Sequence, residues 1–204
     1  MPDVTYVPIG VDCQVAHYLR RRRLRHHAFP FDWTVTPVLA ALRLIENDFQ
    51  EFLDPQNLVF LPPQKRLLFR EDDTGLHETG EIITPVVCRK YGILFPHDFS
   101  AAGMDDLAGV QEKYAKRIAR LQELKANGRT LTLIYHCGAV NEWQAMQLKK
   151  SGASVPSTSP AAVKQLFARG YHPRSELLSL DQLTARTDSR SHRAKALFKR
   201  WIRR

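Results

Sequence analysis

The sequence predicts an α/β fold, built as a single-domain three-layer sandwich around a mostly parallel central sheet. Residues 129–137 form a nearly continuous apolar run, a glycine follows, and residues 140–150 have the composition of a helix. Continuous apolar strands belong to parallel sheets that are covered on both faces, and the order strand, glycine, helix is the first half of a βαβ unit. The N-terminus has the same order, with a short strand, a turn at Gly10 and a helix that starts near Cys13.

The remaining elements follow from apolar spacing and from chain breakers. Residues 37–47 predict an amphipathic helix with Pro at its first position. Residues 105–127 predict the longest helix, which ends at Gly128. Prolines divide residues 58–88 into short strand pieces, and residues 91–95 predict a further strand. Residues 160–169 predict a short helix, and residues 176–180 a last strand or turn.

Composition limits the class of protein. The chain has 204 residues, enough for one sizeable core, and its 44% hydrophobic and 25% charged content is typical of a folded domain. Its three widely spaced cysteines do not form a disulfide framework, and no Cys-x-x-Cys pair indicates zinc. The sequence contains neither a signal-peptide pattern nor an apolar run long enough to span a bilayer. We therefore expect a cytoplasmic protein without a metal or cofactor.

The net charge of +9 is concentrated in the arginines between Arg20 and Arg25 and in the C-terminal tail. Residues 1–190 are expected to form one catalytic-type α/β domain, and residues 191–204 a basic amphipathic helix. This helix either docks on the core, which is the favoured interpretation, or contacts an anionic membrane surface. Nucleic acid is not expected as a partner, because aromatic residues accompany the basic ones only at Phe198 and Trp201.

Cys13 is the candidate nucleophile. It stands in the first turn of the predicted N-terminal helix, with Asp12 as the expected N-cap. Unpaired N–H groups and the positive end of the helix dipole both favour a thiolate at this position. The alternative is a small apolar residue packed under the helix, and this stretch taken alone slightly favours that alternative.

Three further polar residues are candidates for the same site. Asp32 lies between two large aromatic residues, where it either faces the cysteine helix or caps a turn at the surface. His97 and Asp98 follow a predicted strand, where catalytic groups are commonly displayed, although a solvated loop histidine would give the same pattern. His136 ends another predicted strand, at the edge where open α/β sheets bind ligands. It is a second candidate base, but a packed histidine is the favoured interpretation.

Three segments together carry a resemblance to a known family. They read IGVDCQVA at residues 9–16, FPFDW at residues 29–33 and FPHDF at residues 95–99. A Tyr-x-x-Arg-x-x-Arg helix follows, matched by Tyr114, Arg117 and Arg120. This combination resembles a bacterial family of uncharacterised proteins described as papain-like cysteine peptidases, over most of residues 1–125.

The resemblance implies Cys13 as the nucleophile, His97 as the general base, and Asp98 or Asp32 as the carboxylate that orients it. It also implies a papain-like α+β arrangement as the alternative fold. A thiolate beside an imidazole can attack the acyl carbon of a peptide, another amide, an ester or a thioester. The substrate and the direction of acyl transfer are left open.

The alternative function is a non-peptidase enzyme or binding protein for an anionic substrate, such as a nucleotide sugar or a phosphorylated lipid precursor. Arginines and a histidine would then line an anion pocket, and Cys13 would be structural. A third hypothesis is a non-catalytic module that the basic tail attaches to an anionic partner.

Because no Gln stands several residues upstream of Cys13, a neighbouring side chain or backbone N–H groups would have to form an oxyanion hole. The residues predicted to bind substrate are Asp12, Gln14, Trp33, Arg117, Arg120 and His136, with Arg20 added in the anion-binding alternative.

Overall fold

A computed structural model describes residues 4–11, 13–69, 76–136, 140, 142–153, 176–179 and 181–187. The helices predicted at residues 160–169 and 191–204 lie outside this part of the chain, as do Asp12 and Cys137. The strands are β1 (Val4–Gly10), β2 (Leu58–Phe60), β3 (Gln64–Phe69), β4 (Leu76–Ile83), β5 (Val86–Cys88), β6 (Ile93–Phe95), β7 (Thr130–His136) and β8 (Glu176–Ser179). The helices are α1 (Gln14–Arg21), α2 (Val38–Glu46), α3 (Leu107–Ala126), α4 (Glu142–Lys150) and α5 (residues 181–187).

The parallel sheet has the strand order β1-β7-β8, with helices packed on both faces. Side chains alternate across a strand, so Val7 and Leu133 point into a core shared with α2 and α3. Ile134 points the other way and packs with Leu19 of α1 and Leu183 of α5. The predicted α/β class and its parallel sheet are confirmed. In the described ranges, no helix combines the length and apolarity that a membrane crossing needs.

Two antiparallel sheets accompany the parallel one. Strands β2, β5 and β6 form a three-stranded sheet, and β3 pairs with β4 as a hairpin. Val86 and Phe95 face the main core, whereas Val87 and Leu94 pack with residues around α4. The antiparallel sheet is therefore covered on both sides, which explains why its short strands are apolar throughout.

A short segment joins the two three-stranded sheets. The Val35 and Leu94 backbones exchange hydrogen bonds of 2.9 and 3.0 Å, and the N–H of Thr36 donates to the carbonyl of Gly10 at 2.8 Å. The Thr34 and Thr36 hydroxyls bond each other at 2.7 Å. This segment places the carboxyl end of β1 next to the antiparallel sheet.

Tyr114 of α3 is at the centre of the main core. Its side chain is fully buried between the rings of Phe52 and Phe95, at centroid distances of 5.4 and 5.6 Å. The hydroxyl donates to Asp98 Oδ2 at 2.9 Å. A buried hydroxyl needs such a partner, so this bond specifies where the loop after β6 meets α3.

Replacing Tyr114 by Phe should lower the free energy of unfolding by about 1.5–3 kcal/mol, because a buried hydrogen bond to a charged acceptor is lost. Urea denaturation measures this change. The matched control is Tyr91→Phe, whose hydroxyl donates to the Gln50 carbonyl at an exposed site. The control should lose clearly less stability, and an equal loss in both variants would contradict the role given to the Tyr114 bond.

Candidate functional site

The carboxyl ends of β1 and β7 meet at Gly10 and His136, which are opposite each other in the register. Gly10 has a φ of 154°, and a Cβ atom there would lie 3.1 Å from the His136 carbonyl oxygen. Backbone conformation and close approach therefore both favour glycine. His136 is half-buried at this edge. In open α/β sheets, ligands bind outside this edge.

Cys13 occupies the N-cap position of α1, just beyond this edge. Its thiol is not in a disulfide and is half-buried, and its carbonyl oxygen accepts the N–H of His17 at 2.9 Å. The first turn of α1 contains no acidic residue, and Gln14 at its first position is exposed. The helix dipole therefore favours the Cys13 thiolate. Cys88 differs, since it is fully buried and burial raises the pKa of its thiol.

Trp33, the last residue of the FPFDW segment, contacts α1, the helix that begins after Cys13. The ring of His17, one turn after Cys13 on α1, packs edge-on against Trp33 with the ring centroids 5.1 Å apart. The Arg25 guanidinium lies 5.6 Å from the Trp33 ring centroid, in cation–π geometry. Trp33 is half-buried. An aromatic surface thus lies beside the helix that begins at Cys13.

Asp32 is completely buried and holds its own turn together. Its Oδ2 atom accepts the N–H of Phe29 at 3.1 Å and a guanidinium N–H of Arg25. Burial raises the pKa of Asp32, and the charge of Arg25, the Phe29 N–H and the charge of Arg117 act against this increase. The contacts that the structure gives Asp32 therefore fix Arg25, and through it Trp33.

Asp98 faces α3. Its carboxylate accepts the Tyr114 hydroxyl and the Lys113 ammonium group, and its side chain is only 7% exposed. These bonds occupy both oxygens. Burial and the charge of Arg66 lower the pKa of the neighbouring His97, and the negative charge of Asp98 opposes part of this decrease.

Arg117 and Arg120 lie on the same helix as Tyr114. The Arg117 guanidinium lies over the Tyr114 ring, 5.2 Å from its centroid, and its charge acts on Asp32. Arg120 donates from Nη1 to the Ala28 carbonyl at 3.0 Å. In these contacts, both arginines hold the FPFDW segment to α3.

His97 is half-buried in the loop after β6. Burial, followed by the charge of Arg66, lowers the pKa of His97 to about 4. Its Nδ1 atom has no hydrogen-bond partner among the residues that the structure describes. The imidazole is therefore neutral at neutral pH, the form that can accept a proton.

The predicted site residues fall into two neighbourhoods. Cys13, Gln14 and His136 lie at the edge of the parallel sheet. A second group of predicted site residues contacts α3 or lies beside it. Trp33 links the two groups, because it packs against His17 of α1 and lies beside Arg25, which bonds Asp32. In the part of the chain that is described, no three His, Cys, Asp or Glu side chains gather as a metal site would require. The residues of the second group are Asp32, His97, Asp98, Arg117 and Arg120.

Sequence reasoning missed three residues around this site. His17 had a recognisable pattern, since it follows Cys13 by four residues and so lies on the same helix face. Arg25 belongs to an arginine run that resembles a solvated surface. Arg66 reaches His97 only through the folding of the β3–β4 hairpin, which local patterns do not indicate.

Residues 4–156 match the family described as "Putative papain-like cysteine peptidase (DUF1796)", which is more than half of the chain. The protein belongs to this family. This family member is also similar to an uncharacterised protein of Acanthamoeba polyphaga mimivirus. The two are 24% identical over 137 residues, which are 65% of this chain and 61% of the viral protein. No solved structure matches the chain.

His97 should make the stability of this family member depend on pH. Its folded-state pKa of about 4 is below the ordinary value of 6.5, so the unfolded chain binds more protons between these values. Stability contributed by neutral His97 is present above pH 6.5 and is lost as the pH falls towards 4. Each pKa unit corresponds to about 1.4 kcal/mol, so the loss amounts to roughly 3 kcal/mol at most.

Urea unfolding of the wild type and of His97→Gln at pH 7 and pH 4.5 measures this contribution. The His97→Gln variant should lose less stability on acidification than the wild type. His26→Gln, at an exposed position, is the matched control and should retain the wild-type pH dependence. Identical profiles for all three proteins would contradict the buried, neutral state of His97.

Proposed function

We propose that the protein is a cysteine hydrolase or acyltransferase, with Cys13 as the nucleophile and His97 as the general base. One observation carries the proposal: Cys13 is a half-buried thiol, not joined in a disulfide, at the N-cap of a helix just beyond the carboxyl end of a parallel strand. Membership of a family described as papain-like cysteine peptidases supports the same reaction class.

The reaction would follow the chemistry of thiol acyl transfer. His97 accepts the thiol proton of Cys13 as the sulfur attacks the acyl carbon of an amide, ester or thioester. The bond to the leaving group then breaks, the imidazolium returns the proton to that group, and a thioester to Cys13 remains. Water, or another acceptor, attacks the thioester while His97 removes its proton, and the Cys13 sulfur leaves and regains a proton. The first N–H groups of α1 have no intrahelical partner, and they are the proposed donors to the developing oxyanion.

Of the two carboxylates, Asp98 is the proposed orienting group. Its bonds to Tyr114 and Lys113 hold the loop that carries His97 against α3, and its charge favours the imidazolium form. Asp32 has a positioning role in this proposal, because its bonds to Arg25 and Phe29 support Trp33 beside the site. Trp33 and Gln14 would contact substrate.

A cytoplasmic location and a bacterial source belong to the same proposal. The location is motivated by the two described cysteines, which are not disulfide-bonded, and the source by the resemblance of the three motifs. Contact of residues 191–204 with an anionic membrane surface is a separate prediction that concerns a segment outside the described residues.

Iodoacetamide labelling near pH 7, followed by peptide mass spectrometry, tests the nucleophile. Cys13 should react roughly tenfold or more faster than Cys88, because a thiolate at a helix N-terminus is compared with a buried thiol. His97→Ala should slow the labelling of Cys13, and His26→Ala, at an exposed position, should not. Cys13→Ala should abolish hydrolysis of an activated acyl ester.

Equal labelling of Cys13 and Cys88 would sink the proposal. If labelling of Cys13 responds to His17→Ala or His136→Ala and not to His97→Ala, the nucleophile stands and the assigned base is wrong. The three histidine variants therefore test the two assignments separately.

A further inference from the structure

Three buried side-chain nitrogens near the β3–β4 hairpin have no hydrogen-bond partner among the described residues. They are Gln64 Nε2, Arg66 Nε and His97 Nδ1. Buried polar atoms in native proteins are nearly always paired, so each unpaired one requires an explanation. Several such atoms in one region point to a polar group that the described residues do not supply.

The backbone brings these three residues into one region. Ile83, the register partner of Gln64, forms a bridge to Ser100, and the N–H of Thr84 donates to the Phe99 carbonyl at 3.0 Å. The loop that carries His97 therefore packs against the base of the hairpin. The pairing of β3 with β4 shifts its register between Lys65 and Leu67, and the Arg66 side chain is 28% exposed whereas that of Lys65 is 60% exposed.

The charges agree with this placement. Arg66 donates from Nη1 to Glu81 Oε2 at 2.7 Å, and the charges of both residues act on His97. Arg66 has the largest charge effect on that imidazole. Lys65, by contrast, bonds Glu78 at an exposed site, where its side chain is 60% exposed.

The orientation of the free donors follows from the bonds that are already made. The indole Nε1–H of Trp143 donates to Gln64 Oε1 at 3.3 Å, and an indole can only donate. The amide Nε2 of Gln64 therefore keeps its donors for another partner. Arg66 uses Nη1 on Glu81, so its Nε–H is likewise left for an acceptor.

We propose that Gln64 and Arg66 bind a carboxylate of the substrate beside His97. A carboxylate offers acceptors only, which fits one neutral and one charged N–H donor. The charges of Arg66 and Glu81 offset each other, so the region has no surplus positive charge for a doubly charged phosphate, and a singly charged carboxylate fits better. That this carboxylate belongs to the substrate of Cys13 rests on the proposed function.

The proposal names a substrate class and gives the carboxylate an effect on catalysis. The substrate is an acyl compound, such as an amide or ester, that carries a carboxylate near the reacting carbon. Arg66 disfavours the imidazolium form of His97, and a bound anion counteracts this charge. Binding of the correct substrate would therefore make His97 a stronger base.

Acetate is the probe for this site, and the full-length Cys13→Ala protein is the host, since it cannot turn over. NMR follows the His97 ring and the Trp143 indole N–H during acetate titration at constant ionic strength. Both signals should shift in a saturable manner, and the pKa of His97 should rise when acetate is bound.

Three substitutions on β3, each added to Cys13→Ala, sharpen the test. Arg66→Gln should weaken acetate binding about tenfold or more, because the charged donor is lost. Gln64→Glu keeps an acceptor for Trp143 but replaces the donor by a carboxylate, and it should abolish binding. Lys65→Gln removes the same charge from the more exposed neighbouring residue and should change the affinity by no more than about twofold.

The absence of saturable shifts in the host protein, or an equal loss with Lys65→Gln and Arg66→Gln, would overturn the site. Inorganic phosphate binding more tightly than acetate at the same residues would overturn its assignment to a carboxylate. If Arg66→Gln does not fold, Gln64→Glu supplies the same comparison. If acetate does not bind but labelling of Cys13 still depends on His97, the carboxylate site is wrong and the hydrolase proposal stands. If acetate binds but labelling of Cys13 does not depend on His97, the hydrolase proposal is wrong and the carboxylate site stands.

Discussion

The hydrogen bond from Tyr114 to Asp98 is the constraint on which the arrangement of the site depends. It is made in the middle of the core, where an unpaired carboxylate and an unpaired hydroxyl would both be costly. The bond fixes the loop after β6, and with it His97, to α3. The same helix holds the FPFDW segment through Arg120, which donates to the Ala28 carbonyl. One helix therefore sets the positions of two loops that are far apart in the chain.

The FPFDW segment transmits this constraint towards the cysteine helix. Asp32 bonds Arg25, Arg25 lies over Trp33, and Trp33 packs against His17 of α1. A buried carboxylate paired with an arginine is a strict geometric requirement, because removal of either partner leaves a buried charge uncompensated. Asp32 thus acts over a distance on the surroundings of Cys13 through the packing of two side chains, which explains why a carboxylate stands between two aromatic residues.

Local patterns predicted those parts of the fold that are determined locally. The apolar runs of β1 and β7, each followed by a turn and a helix, were sufficient for the parallel sheet. The hairpin was harder, because Glu78 and Glu81 of β4 are exposed and its residues are mostly polar, and such strands form mainly through pairing with a partner. The surroundings of Asp32, Asp98 and His97 could not be predicted, since they depend on Arg25, Tyr114 and Arg66, which other elements supply.

The low pKa of His97, at about 4, bears directly on how a thiol site of this kind would work. A weak base cannot hold Cys13 as a thiolate by taking its proton in the resting state. The helix N-terminus lowers the free energy of the thiolate independently of a base, because the helix dipole stabilises the negative charge. His97 then accepts the thiol proton during attack, and it transfers protons to the leaving group and from water. A base that gains strength only when an anion offsets Arg66 would restrict these steps to substrates that carry the anion, so selectivity and catalysis would share one electrostatic origin.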